Sequence, residues 1–335
     1  MDLTYPAPVR DSLDRIGKAL ADISVKDELD ACAREPGVWA SAAGQSAAPA
    51  ASPLAQVAEF RAVGAYALPL PELLARTARA YLPLPAKAAA GATALGWPDP
   101  SAPWQSGDLL TVELTSAGKL QGAVSVAPFC LPAGSLVFMA QSGSSVALVQ
   151  ATPEGATERT GDAFTVTFED TPAHILAEGA EAVAAWDRAV LWERLALVGL
   201  TAGLIDRAWR IALDALCEGK RGGQLLADEQ VAQFQLADND IERLSAESLI
   251  LDVAVDAEKG KRVNDKLALA RYFTSSQAER CAGRALHVAQ LFTPRMVPIA
   301  RSLAQRAHYL SVFGMAREHE VRVASAGLIA GLSLE

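Results

Sequence analysis

Apolar residues recur at helical spacing near both ends of this chain and at a spacing of two in its middle. From Pro6 to Ala33, Leu13, Ile16, Leu20, Ile23, Leu29 and Cys32 share one helical side, which predicts a helix ending near Glu35-Pro36-Gly37. The tract ASAAGQSAAPAASP follows; its small residues have little to bury, so it reads as a surface loop or linker. A second helix begins near Leu54. Pro69 and Pro71 break it, because each removes a backbone donor and restrains the residue before it, and helix resumes at Glu72.

The pattern then shortens. Segments 109–114, 123–127, 135–140, 145–149 and 163–168 are rich in Val, Leu, Phe and Thr, with Gly and Pro between them. Strict alternation in FTVTFED, residues 164–170, marks a strand with one buried face. A small antiparallel β domain is expected here. From Ala182 onward the spacing is helical again. Residues 192–217 carry few charges for their length, which suits a helix buried inside a bundle. The next helix gathers Val231, Phe234, Ala237, Ile241, Leu244 and Ile250 on one side, with Asp238, Asp240, Glu242 and Arg243 mostly away from them. Two more helices are expected at about 262–292 and 296–327, the latter entered after Pro294 and Pro298.

This reading predicts an α+β multidomain chain. Its parts are an N-terminal helical domain (1–98), a central β domain (99–175) and a C-terminal four-helix bundle (176–335).

Composition narrows the function classes. With 51% hydrophobic and 21% charged residues, the chain can bury sizeable cores and is not disordered over most of its length. A formal net charge of -9 argues against nucleic acid as partner, although local groups can still bind an anion. The four cysteines and four histidines are scattered, without CxxC or HExxH spacing, so no metal site is expected and free thiols fit a reducing compartment. The amino terminus lacks an apolar signal core, and charges interrupt every apolar stretch before it is long enough to span a bilayer. A cytoplasmic protein without a membrane span is the expectation.

The block LWERLALVGLTAGLIDRAWRIALDALCEGKRGGQLLADEQVAQFQLADNDIE, residues 191–242, resembles the acyl-CoA dehydrogenase family. Members carry a long Gly-containing helix, a turn with Arg and Phe-Gly, and a Gln-initiated helix containing Leu-Ala-Asp. AEFRAVGAYALPLPELLARTARA near the amino terminus and VTFEDTPA at the end of the β segment are similar to the same family. The resemblance implies an oxidoreductase and flavoprotein of lipid or steroid degradation, an oligomer that binds FAD between subunits. It would oxidise an acyl-CoA substrate to its α,β-enoyl form and pass electrons to an electron-transfer flavoprotein. Such chemistry needs a carboxylate to remove the α proton, donors to stabilise the enolate and a flavin to accept the β hydride.

By the same resemblance, Glu193 takes the place of the base used in the isovaleryl- and long-chain-type branches. A helix-start carboxylate or an ion pair with Arg194 or another bundle residue is the plainer account of it. The base of the commoner branch, near the carboxyl end, has no counterpart. Glu318 and Glu320 beside His319 sit among Arg317 and Arg322 and read as a solvated face. Where relatives carry Arg-Lys-x-Phe-Gly, this chain has Gly219 and Gly222, so the cofactor turn is eroded. Lys220 or Arg221 offers a replacement charge for a pyrophosphate, or is an ordinary basic turn. Gln230 matches a family Gln that meets FAD, or caps its helix. Ser125 lies where relatives present a hydroxyl or Trp to the flavin, and residues 113–118 are a remnant of a flavin-contacting loop.

Two outcomes are therefore expected: a working dehydrogenase, as a homodimer or homotetramer, or a partly catalytic subunit in a heteromer with a fuller homologue.

Overall fold

The computed structural model describes residues 52–66, 82–84, 93–98, 111–126, 135–153, 157–160 and 163–312, with a few more between 7 and 14. Most of the helix expected at Pro6 to Ala33, the linker after it, the Pro69–Pro71 break and the segment holding Glu318, His319 and Glu320 lie outside the described residues. Helix α1 spans Pro53–Gly64, with Ser52 as its cap: the hydroxyl accepts from the Ala55 N–H at 3.3 Å, and Pro53 opens the first turn.

Among the described residues nine strands make the sheet: β1 (Thr93–Leu95), β2 (Trp97–Pro98), β3 (Val112–Leu114), β4 (Lys119–Val126), β5 (Ser135–Ser142), β6 (Ser145–Ala151), β7 (Thr157–Thr160), β8 (Ala163–Pro172) and β9 (His174–Glu178). The main path runs β7-β8-β4-β3-β5-β6-β9, with β1 on β5 and β2 on β4. The pairings are antiparallel except β1 with β5 and β3 with β5. Alternation does the work the sequence promised: Val166 and Phe168 point into the core, and the Phe168 ring stacks on Phe138 at 5.1 Å.

Among the described residues four α-helices follow the sheet: α2 (Gly179–Glu218), α3 (Gln230–Glu258), α4 (Asn264–Phe292) and α5 (Val297–Val312). No proline occurs between Pro172 and Pro294, so nothing interrupts the backbone ladder of α2 over 40 residues. This helix contributes to all four apolar clusters. Ala182 and Ala189 pack under the sheet; Ala196, Leu197 and Leu200 join sheet and bundle; Leu195, Val198 and Ala202 meet α1 and α3; Ala215 and Leu216 close the far end.

Gly199 and Gly203 let α1 approach α2 closely. A methyl group on Gly199 would fall 2.6 Å from the Val57 carbonyl oxygen, and one on Gly203 would strike the Arg61 carbonyl.

Helix α3 is held differently. Arg61 on α1 donates to Asp206 on α2 at 2.6 Å and to Glu247 on α3 at 2.7 Å. Arg243 pairs with Asp240 at 2.8 Å, lies 3.6 Å from both Asp206 and Glu247, and stacks over the Trp209 ring. Across the other side, Arg284 on α4 donates to Asn239 at 2.6 Å and to Glu242 at 2.9 Å. Val231, Phe234, Ile241 and Leu244 face outward.

Candidate active site

Helix α2 carries Glu193 into the interior. Leu195 and Val198 belong to the cluster against α1 and α3, while Ala196 and Leu197 belong to the one against the sheet, so this turn is apolar on both sides. Glu193 is 1% exposed, and its Oε2 has no hydrogen-bond partner among the described residues. Burial pushes the carboxyl up to about 8, against the pull of the Arg271 and Arg194 guanidinium groups. At neutral pH the carboxyl is therefore mostly protonated. Once it loses the proton, it is a poorly solvated and correspondingly strong base.

Arg271, on α4, is 2% exposed and heads the fully buried side chains by volume. Sequence reasoning missed it because an Arg on a helix reads as solvated. A signal was available: Leu267, Ala268 and Ala278, neighbours of Arg271 on the helical face, are small or apolar residues at the right spacing, and they are buried here together with Thr274 and Ser275.

The far end of α2 holds the other candidates. The helix stops at Gly219, whose backbone turns extended. A Cβ there would lie 2.7 Å from the Ala215 carbonyl oxygen and collide with Leu226, so the position has no room for a larger side chain. The next six residues form a hairpin, β10 (Lys220–Arg221) and β11 (Gln224–Leu225), with Lys220 opposite Leu225 and Arg221 opposite Gln224. Gly222 and Gly223 are its two-residue loop at φ 59° and 89°, both positive as the tight hairpin turn requires. Lys220 and Arg221 are exposed on the hairpin, and Arg221 lies 4.0 Å from Glu229. Gln230, also exposed, opens α3 immediately beyond.

Ser125 is buried on β4, between Trp97 and Thr165 in the sheet register. Its neighbours Val124 and Val126 face the core cluster, which sends Ser125 to the opposite face. The 113–118 segment closes on itself: the Thr115 hydroxyl donates to the Lys119 carbonyl at 3.0 Å and accepts from the Lys119 N–H at 3.2 Å. It is a β3–β4 turn.

The structure does not bring these residues together within one chain. From Glu193 to Glu218 the helix is unbroken, and 25 residues at 1.5 Å each separate the buried carboxyl from the basic hairpin by about 38 Å. Among the described residues, no three His, Cys, Asp or Glu side chains meet as a metal site, and no helix is long and apolar enough to cross a membrane.

Residues 183–290 match the family model "Acyl-CoA dehydrogenase, C-terminal domain". No curated protein matches the chain by sequence. Among solved structures, butyryl-CoA dehydrogenase from Megasphaera elsdenii is 14% identical with a TM-score of 0.72, covering 98% of this chain and 100% of that one. PigA with FAD and proline is 13% identical with a TM-score of 0.77, covering 98% and 99%. A Tcur3481-Tcur3483 steroid ACAD variant is 18% identical with a TM-score of 0.74, covering 97% and 98%. At these identities the likeness shows the fold. The resemblance drawn from residues 191–242 is borne out: the chain has the acyl-CoA dehydrogenase fold and is consistent with a divergent member of that family.

Proposed function

We propose that this chain, with the acyl-CoA dehydrogenase fold and that family's C-terminal domain over residues 183–290, is an FAD-dependent oxidoreductase that dehydrogenates an acyl-CoA thioester between its α and β carbons. One observation carries the reading. Glu193, the residue the resemblance singles out as base, is a buried carboxyl with an unpartnered oxygen and an affinity for protons raised to about 8. A close guanidinium pulls a carboxyl down, and at Glu193 that pull from Arg271 and Arg194 is outweighed by burial.

In this reading the Glu193 carboxylate takes the proton from the α carbon, and the electrons of that C–H bond become the enolate. The apolar walls of α2 exclude water and keep the base strong. Arg271 and Arg194 keep part of the population ionised near neutral pH. Bound FAD would supply the acceptor for the β hydride. The exposed Lys220 and Arg221 suit a pyrophosphate, with Gln230 and Ser125 as hydrogen-bonding groups. Because about 38 Å of helix separates Glu193 from the hairpin, the residues fit one FAD when the hairpin of one chain meets the Glu193 region of another. The acyl group is one from lipid or steroid breakdown, and an electron-transfer flavoprotein is the acceptor this reading expects.

A second reading has a specific observation behind it. The closed Gly219 position and the self-satisfied β3–β4 turn remove two contacts that relatives make to the flavin. A fuller homologue would then supply them, with this chain as the partly catalytic half of a heteromer.

The test is the visible spectrum and turnover of the purified chain, alone and co-expressed with a fuller homologue. Flavin bands and activity from the chain alone support the first reading; colour only in the complex supports the second. Glu193→Gln is expected to keep the flavin and lose roughly 10²–10⁴-fold in turnover. Unchanged turnover in that variant removes Glu193 from the mechanism.

A further inference from the structure

We draw no further inference here: the strongest candidate, the buried side-chain cluster of Arg271 on α4 and Glu193 on α2, belongs to the site already described and rests only on the raised proton affinity of Glu193.

Discussion

Helices α2 and α3 are neighbours joined by a short hairpin, yet they are built on opposite plans. In α2 the apolar residues face inward along most of 40 residues, and a carboxyl that falls among them has to give up its charge near neutral pH. In α3 the turns from Asn239 to Glu247 face inward with polar and charged groups, met by Arg61, Asp206, Arg280 and Arg284 on neighbouring helices, and the apolar stripe faces out. An apolar stripe therefore says that something covers that side of a helix. It does not say whether the cover belongs to the same chain. Where the neighbouring helices offer partners for charge, the polar side can be the inside one.

The contrast can be broken first where α2 packs most tightly. Gly203→Val drives a branched side chain into the Arg61 carbonyl and should destabilise the chain by about 3 kcal/mol or more, read from the urea midpoint. The same change at exposed Ser245 on α3 should do little.

The buried carboxyl comes next. Its folded value of about 8 lies above the unfolded 4.5, so its contribution is fully present below about pH 4.5 and is lost as pH rises through 8. Wild type should lose about 2–3 kcal/mol from this group across that window once relaxation around the charge is allowed for, and Glu193→Gln should lack that slope. A variant with the wild-type slope would mean another group carries it. Turnover, if Glu193 is the base, rises over the same pH range that weakens the fold.

Charge pairing under α3 is the third target. Arg61→Ala leaves Asp206 and Glu247 with one Arg fewer in a half-buried site and should cost roughly 2 kcal/mol, less than a fully buried pair because water reaches the cluster. Glu247, held below its usual range chiefly by its hydrogen bond from Arg61, should titrate at higher pH in that variant. Smallest of all, Phe234→Lys on the outer face should shift the stability of an isolated monomer by within about 0.5 kcal/mol. A large loss there would mean that Phe234 is packed within its own chain.

Much of the fold was legible in the sequence because burial and period agree there. Residues 192–217 are apolar, proline-free and helical, and FTVTFED alternates as a sheet with one buried face must. The parallel pairing of β1 with β5 was not legible, since Thr93–Leu95 is three residues long and its partner lies some forty residues away. The site was legible unevenly. Glu193 stood out because its neighbours are apolar. Arg271, three residues from Ala268 and Thr274, carried the same signal and was passed over because arginine is expected in water. The direction of the α3 stripe could not be read at all: it depends on Arg61 and Arg284 arriving from distant parts of the chain.

One feature of α2 bears on how the molecule comes apart. Because a single helix supplies residues to every apolar cluster, the sheet and the bundle cannot melt as separate bodies without stripping a face from the same rod. Amide exchange along Leu195–Ala212 should then report only the opening of the whole fold, while the strand edges and the hairpin tip exchange by local fraying. In kinetic terms α2 has no early or late half, and a chain that has not docked it has no finished core to fall back on.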